Sequence, residues 1–360
     1  MKTTSTNLPD QGLVIQDNST NQIIAKWLFG LCGMVFFMVI LGGLTRLTHS
    51  GLSMVDWRPI TGWLPPIGSE EWESVFDQYK ESPEFKKIND GITIEGFKSI
   101  FWLEYFHRLW GRIMGVSLIL PFIFFLAKGW INRKLIFRII IIFLMGAFQG
   151  VLGWYMVKSG LMDNPDVSQY RLTAHLSAAI IIYGYMFWVA MSLIKSENDV
   201  LIFASPRLLS FSVFTAFWIF LTIISGGFVA GLDAGLTYNT FPLMDGQVVP
   251  GGMWDLDPWH RNFFENITTV QFDHRILAES SLVLVVGVWL MSRKANIPNF
   301  ARVPFTAMLI MVLIQVALGI ITLISVVPIF IALLHQIGAL ILFTISLWAI
   351  HTLIDHTGKF

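Results

Sequence analysis

The chain has 360 residues, of which 54% are hydrophobic and only 13% are charged. With 14 tryptophans and 30 phenylalanines, this composition is typical of a polytopic membrane protein and excludes a soluble domain. The 24 basic residues balance the 24 acidic ones, so charge gives no indication of a nucleic-acid partner. The single cysteine, Cys32, excludes an intramolecular disulfide and disfavours a thiolate metal site.

The N-terminal segment, residues 1–25, is predicted to be a cytoplasmic tail. It is polar, has no arginine, and resembles neither a secretory signal nor an Arg-rich transit peptide. We therefore expect a bacterial inner-membrane protein rather than an imported organellar one.

Eight apolar segments are predicted to cross the membrane as helices, since a bilayer takes roughly 20 apolar residues. The last two share residues 303–354, which carry no Asp, Glu, Lys or Arg and break at Val326-Val327-Pro328. A turn is expected at Asn164-Pro165-Asp166. The predicted spans are residues 27–45, 105–127, 139–157, 172–194, 208–230, 272–292, 303–325 and 329–354.

The loops after the second, fourth and sixth spans are short and basic, which is typical of cytoplasmic loops. Both termini then lie in the cytoplasm. Two long tryptophan-bearing loops, about residues 47–101 and 231–270, lie outside. This orientation brings four histidines close to the outer ends of the even-numbered spans: His107, His175, His274 and His335.

The two halves of the chain repeat the same motifs in the same order. Gly42-Gly43 and Gly51 return at a constant offset as Gly226-Gly227 and Gly235. The other repeated pairs are His107-Arg108 with His274-Arg275, Gln149–Gly153 with Gln315–Gly319, and His175 with His335.

Four spans in each half insert in the same sense, as in parallel transporter repeats. The predicted fold is therefore an all-α integral membrane protein with eight transmembrane helices in two pseudo-symmetric four-helix bundles. The bundles are residues 26–194 and 208–354, with a cytoplasmic linker at 195–207 and a cytoplasmic tail at 355–360.

Each half places two histidines at the same depth, on its second and fourth helices. Facing histidines in a bundle core can hold a planar metal macrocycle from both sides, and imidazole is a common axial ligand of haem iron. Bare zinc or copper would recruit a third or fourth ligand, which the repeated set lacks. We therefore predict His107, His175, His274 and His335 to be haem-iron ligands; interfacial or hydrogen-bonded histidines are the alternative.

Four histidines remain outside the repeated set, and His260 has no repeat partner. His49 is interpreted as a loop histidine, with contact to a macrocycle edge as the alternative, and His260 as a loop histidine. His351 and His356, near the cytoplasmic end, are expected to be solvated.

Two arginines directly follow the predicted ligands. Arg108 and Arg275 suit the propionate carboxylates of a haem edge. Interfacial arginines that reach toward water are an equally good interpretation.

Glu104 is the main asymmetry between the halves, because its counterpart is Gln271. It precedes His107 by three residues, so both side chains share a helical face. An ionisable group at this depth is costly and indicates function, here as an acid, a base or a stabilising charge beside a haem. The alternative is an interfacial carboxylate paired with Arg108 or Arg112.

Several long motifs closely resemble those of the haem A synthase family. They are Gly42-Gly-Leu-Thr-Arg-Leu-Thr-His-Ser-Gly-Leu-Ser53, Trp57-Arg-Pro-Ile-Thr-Gly62, Trp63-Leu-Pro-Pro66 and Glu104-Tyr-Phe-His-Arg108. The resemblance covers essentially the whole chain. It implies an enzyme that converts haem O to haem A for cytochrome oxidase, by successive hydroxylation and dehydration of the C8 methyl group to a formyl group.

The resemblance also implies roles for the repeated residues. His107 and His175 match the pair that holds the substrate haem O, His274 and His335 match the pair that holds haem B, and Glu104 matches a carboxylate essential near the substrate. The N-terminal bundle becomes the substrate haem half and the C-terminal bundle the cofactor haem half.

One departure concerns cysteine, since some relatives carry a pair in the first outer loop and this chain has none there. The chain therefore resembles the cysteine-free proteobacterial and mitochondrial branch, and a thiol-based step is excluded. The expected partners are a haem O synthase or other haem O source, an unidentified electron donor or acceptor, and the lipid bilayer, with a homo-oligomer left open. A di-haem electron carrier of the cytochrome b type and a haem transporter or chaperone remain rival interpretations, although the carboxylate in one half favours catalysis.

Overall fold

The computed structural model describes residues 18–57, 61–162, 165, 167–194 and 206–354. Several features of the sequence analysis fall outside these ranges. They are residues 1–17 of the N-terminal tail, most of the linker, the C-terminal tail with His356, Asn164 and Asp166 of the expected turn, and residues 58–60 of the Trp57–Gly62 motif.

Within the described ranges the protein is all-α, with eight helices long and apolar enough to span a membrane. This confirms the predicted fold class and number of spans. Three shorter helices, given below with the others, belong to the long loops. In chain order the helices are α1 (Asn18–Leu47), α2 (Ser69–Lys80), α3 (Pro83–Lys87), α4 (Ile94–Ala127), α5 (Arg133–Gly160), α6 (Gln169–Ile194), α7 (Pro206–Gly231), α8 (Asn262–Glu265), α9 (Ile267–Lys294), α10 (Asn299–Ile324) and α11 (Ile329–Leu353).

The first spanning helix begins at Asn18, so residues 18–25 of the predicted tail are helical. Ile24 and Ala25 are completely buried in the core. Burial of these two side chains stabilises the helix on the N-terminal side of Lys26. The charge of Lys26 alone had indicated a boundary there.

The second spanning helix, α4, begins at Ile94 rather than near residue 105. The Thr93 hydroxyl caps it by accepting a hydrogen bond from the Gly96 backbone N–H at 3.2 Å. The added turns pack into an aromatic cluster with α2, which we call the outer cluster: Phe76, Tyr79, Phe97, Phe101 and Tyr105. Glu104 and His107 therefore lie well inside a continuous helix.

The predicted break between the last two spans is confirmed. α10 ends at Ile324 and α11 begins at Ile329. Between them Val326 and Val327 have φ values of 59° and 54°, in the left-handed region that β-branched residues disfavour. Pro328, which has no N–H, then starts the next helix.

The spanning helices form two groups of four that correspond to the two halves of the sequence. In the C-terminal half, α7, α9, α10 and α11 form a closed ring. In the N-terminal half, α1 packs on α4 and α6, and α6 packs on α5. Among the described residues, however, α4 and α5 barely touch, so this bundle has an open flank between them. The halves meet where α6 packs on α7 and α11, and where α1 packs on α11.

The expectation that His351 is solvated is wrong. Its side chain is buried, and its ring lies 5.0 Å from that of Trp188 in an edge-on contact. Its Nε2 lies 3.4 Å from the Ser192 hydroxyl. α11 packs this residue against α6, because the helix continues to Leu353 within the bundle.

Candidate functional site

Each of the four repeated histidines packs against a glycine of the preceding spanning helix. We call these contacts the glycine niches. A side chain at the glycine would collide with the imidazole, which explains why glycine recurs at these positions. A Cβ added at the glycine would lie 3.3 Å from His107 Cε1 at Gly42, 3.1 Å from His175 Cε1 at Gly153, 3.2 Å from His274 Cε1 at Gly226 and 2.9 Å from His335 Cε1 at Gly319.

The C-terminal pair, His274 and His335, has the spacing expected of two axial ligands. The ring centroids are 6.4 Å apart and the rings are perpendicular, at 89°. A metal–nitrogen bond of about 2 Å on each side, and ~1 Å more to each ring centre, gives a centroid separation of about 6 Å. Their Nδ1 atoms lie 2.7 Å from the Ser225 hydroxyl and 3.1 Å from the Gln315 amide nitrogen. Contacts of this kind orient ligating imidazoles. The residues of this half therefore fit a bis-histidine haem.

The N-terminal pair, His107 and His175, repeats the arrangement with fewer supporting contacts. Gln149 Nε2 donates to the His175 carbonyl at 2.9 Å, just as Gln315 Nε2 donates to the His335 carbonyl at 2.8 Å. The Nδ1 atom of His175 is buried and has no hydrogen-bond partner among the described residues. Among the described residues, no side-chain hydrogen bond to Nδ1 corresponds in this half to those of Ser225 and Gln315 in the other.

A cavity of about 1430 Å³ reaches both histidine pairs. Glycines and aliphatic side chains make up much of its wall. Among the described residues, no group of three or more His, Cys, Asp or Glu side chains could hold a bare metal ion. Histidine pairs at a large apolar cavity suit a macrocycle that brings its own in-plane ligands.

Glu104 is buried at the outer part of this cavity, with 3% of its surface exposed. Its Oε2 accepts hydrogen bonds from the Ser53 hydroxyl at 2.7 Å and the Met54 backbone N–H at 2.8 Å. Its Oε1 is paired with Arg108. The predicted alternative of a carboxylate paired with Arg108 is therefore present, but within a buried site at the cavity.

The two arginines that follow the histidines hold equivalent parts of the two long loops. Arg108 donates to the carbonyls of Met54 at 2.9 Å and Asp56 at 3.1 Å. Arg275 donates to the carbonyls of Tyr238 at 2.8 Å and Thr240 at 2.9 Å. These carbonyl pairs are related by the same offset as Gly42 and Gly226. Both arginines line the cavity, and their predicted contact with propionates stays a prediction.

Arg46 joins the outer ends of the two halves. Its Nη2 donates to the Ala230 carbonyl at 2.7 Å and to the Asp233 carboxylate at 3.0 Å. Its Nη1 lies 3.3 Å from His49 Nδ1. His49 and Asp233 occupy equivalent positions of the repeat, and both have a left-handed φ near 50°. His49 therefore belongs to this junction at the cavity, whereas His260 is exposed in the second long loop.

Glu84, on α3 in the first long loop, is a cavity residue that the sequence analysis missed. It is 3% exposed and lines the same cavity as Glu104. Burial raises the pKa of this carboxyl to about 7; the Tyr79 hydroxyl opposes the rise and the charge of Glu104 adds to it. In the sequence, Glu84 is marked only by the helix start Ser82-Pro83-Glu84. Such helix starts are common in exposed loops, so this one did not indicate a buried carboxylate.

The fold and the site define an all-α membrane protein whose two repeated bundles present histidine pairs to a common cavity. The family profile described as cytochrome oxidase assembly protein, COX15-CtaA, matches residues 25–347. The chain therefore belongs to this family of haem A synthases, and the resemblance seen in the sequence is confirmed.

The similarity to individual members extends over nearly the whole chain. Heme A synthase from Nitrosospira multiformis is 52% identical over 331 residues, which cover 92% of this chain and 93% of that protein. Heme A synthase from Nitrosomonas eutropha is 46% identical over 97% of this chain and 98% of that protein. Heme A synthase COX15 from Bos taurus is 43% identical over 94% of this chain and 84% of that protein.

Proposed function

We propose that this protein oxidises the C8 methyl group of haem O to a formyl group, which yields haem A for cytochrome oxidase. The methyl carbon is hydroxylated in successive steps, and loss of water from the doubly hydroxylated carbon leaves the formyl group. The names of the relatives, which match almost end to end, support this reaction.

In this proposal the N-terminal half holds the substrate. His107 and His175 bind the iron of haem O from its two faces, each seated in its glycine niche. The open flank between α4 and α5 supports this assignment, because a substrate must enter and leave whereas a resident cofactor need not.

The C-terminal half holds haem B through His274 and His335. The 6.4 Å spacing of their rings and the closed ring of helices around them support a permanently bound group. When bound, haem B supplies one-electron transfer, in exchange with an electron donor or acceptor that is still unidentified. Ser225 and Gln315 fix the orientation of the two imidazoles.

The observation that carries the proposal is a buried carboxylate present in one half only. Glu104 sits one helical turn from His107, whereas Gln271 occupies the same place beside His274. Arg108, Ser53 and Met54 hold the carboxylate in a fixed position. A carboxylate fixed in this way can accept a proton from the substrate or stabilise positive charge that develops on it.

We further propose that the protein lies in a bacterial inner membrane with both termini in the cytoplasm. Basic residues in the α4–α5 and α9–α10 connections support this orientation, including Lys128, Arg133, Arg293 and Lys294. A haem O synthase or another source then delivers haem O to the N-terminal half. A homo-oligomer is compatible with this arrangement.

The test is to co-express the protein with a haem O source in a host without haem A, then extract the haems and identify them by mass. We expect hydroxylated haem O and haem A beside haem B. Bound haem with unchanged side groups would reject the proposal in favour of an electron carrier. Haem that is bound only transiently and never modified would favour a transporter or chaperone.

A further inference from the structure

The structure points to a second functional carboxylate in the N-terminal half. We propose that Glu84 transfers protons between the cavity beside Glu104 and the water around the first long loop. This inference rests on the proposed function, because it concerns the protons released or required at the substrate site.

The burial of Glu84 is selective. Glu84 and Glu104 are the only two acidic side chains that are buried among the described residues, and both line the same cavity. The neighbouring Glu81 has 81% of its side chain exposed and pairs with Lys86. An ionisable group is costly to bury, so a loop helix that turns one carboxylate inward and leaves the next in water indicates a role for the buried one.

The two oxygens of Glu84 differ in their surroundings. Oε2 is buried without a hydrogen-bond partner among the described residues, and the residue as a whole lines the cavity. The carboxylate also accepts a hydrogen bond from the Tyr79 hydroxyl. An unsatisfied carboxylate oxygen at a cavity is suited to receive a proton or a bound water.

The Tyr79 hydroxyl connects Glu84 to the protein surface. Asn89 Nδ2 donates to this hydroxyl at 2.8 Å, which leaves the hydroxyl proton directed at Glu84. Tyr79 is completely buried in the outer cluster, whereas Asn89 is partly exposed. We therefore assign the path from Glu84 to the water near Asn89 to the Tyr79 hydroxyl.

The charges around Glu84 suit proton exchange near neutrality. Tyr79 faces it from α2, and Glu104, paired with Arg108, faces it from α4. On its own segment Lys86 and Lys87 are exposed. Because burial raises the pKa of Glu84 to about 7, both protonation states are populated near neutral pH.

The proposed step moves a proton and nothing else. The Glu84 carboxylate takes a proton from the cavity side, where Glu104 lies, and then gives one proton to water on the Asn89 side through Tyr79. Glu84 returns to its starting state, so one proton enters and one leaves. No electron or oxygen atom passes through it.

The activity test compares three variants in isolated membranes that retain the native electron partner and receive added haem O. Glu84→Gln keeps the shape and the hydrogen bond from Tyr79 but cannot exchange a proton. We expect its turnover to fall on the order of 10-fold or more, with bound haem B unchanged and the pH dependence near neutrality lost. Tyr79→Phe should lose part of the rate, and the exposed control Glu81→Gln should match the unchanged protein.

A second measurement follows the carboxyl directly. Infrared difference spectra of the purified protein should show a protonated-carboxyl C=O band that titrates near pH 7 and is missing from Glu84→Gln. Absence of such a band in the unchanged protein would overturn the proposal, as would full turnover with an unaltered pH profile in Glu84→Gln. If Glu84→Gln loses haem and cannot be interpreted, Tyr79→Phe becomes the test. Undiminished turnover of Tyr79→Phe would then overturn the proposal. Failure of the unchanged protein to convert haem O would refute the proposed function itself. This outcome differs from those above, which overturn only the role of Glu84.

Discussion

Glu104 and Gln271 each hydrogen-bond to the backbone of the long loop in their own half, but Glu104 accepts and Gln271 donates. Glu104 Oε2 accepts from the backbone N–H of Met54, whereas Gln271 Nε2 donates to the carbonyl of Tyr238 at 3.1 Å. Met54 and Tyr238 are related by the offset of the internal repeat. Both side chains are buried, with 3% and 2% of their surface exposed. The duplicated chain therefore kept the loop anchor in both halves and a carboxylate in only one.

The first prediction concerns this pair. Glu104→Gln should keep bound haem, because Gln271 shows that glutamine is accommodated beside a histidine niche. Its conversion of haem O should fall on the order of 100-fold or more, because the proton acceptor and the fixed charge are lost. Extracted haems identified by mass provide the measurement. Glu95→Gln, at an exposed carboxylate on the same helix, is the matched control and should convert normally. Normal conversion by Glu104→Gln would remove Glu104 from the mechanism.

The second prediction separates the two histidine pairs. His274→Ala should reduce haem B to background, because one axial ligand of the C-terminal pair is lost. His107→Ala should retain haem B and fail to bind or convert haem O. Visible spectra and extracted haem content distinguish the two cases. Equal loss of haem B from both variants would contradict the division between a substrate half and a cofactor half.

The third prediction tests the glycine niches. Gly153→Ala would place a methyl group 3.1 Å from His175 Cε1, so the imidazole must shift. Overpacking of this kind costs about 1–3 kcal/mol and should weaken haem O binding about 10-fold or more. Gly33→Ala, on α1, also has nothing within 4 Å but lies outside the cavity lining, and it should bind haem O normally in the same titration. Equal affinities for the two variants would show that the niche does not position the ligand.

The fourth prediction concerns the stability of the first long loop. The pKa of Glu84 rises on folding from 4.5 to about 7, so its stabilising contribution is complete below 4.5 and is lost as pH rises through 7. We expect the loop to be less stable near pH 8 than near pH 5, by at most about 3 kcal/mol. Hydrogen exchange in α2 and α3 measures this. Glu84→Gln should remove most of the difference; a dependence of the same size in this variant would assign it to other groups.

The spans and the repeat could be predicted because both depend on local composition. Unbroken apolar runs gave eight helices, and the motif order gave the two halves. Helix starts were harder to predict, since Ile94 to Tyr105 includes charged residues and is stabilised by packing on α2. The same applies to residues 18–25, which are held by burial of Ile24 and Ala25.

For the candidate site, the sequence identified the residue types and the structure supplied their partners. The four histidines and Glu104 stand out because polar groups at membrane depth are rare. The loop carbonyls bound by Arg108 and Arg275 could not be foreseen, since they depend on how each long loop folds back onto its helix. Glu84 could not be distinguished from exposed acidic neighbours, because only the tertiary packing of α3 buries it.

The open flank between α4 and α5 provides a route by which a ligand could enter and leave the N-terminal bundle from the side. Large apolar side chains are exposed along these two helices, among them Ile119, Leu120, Phe143 and Leu144. A ligand with a long hydrocarbon tail can therefore move into and out of the N-terminal bundle sideways, in two dimensions, with its tail dissolved in lipid throughout. The closed ring of the C-terminal bundle provides no such lateral passage. If the N-terminal half binds the substrate and the C-terminal half the cofactor, as proposed, we expect the composition and fluidity of the bilayer to influence turnover without altering cofactor content.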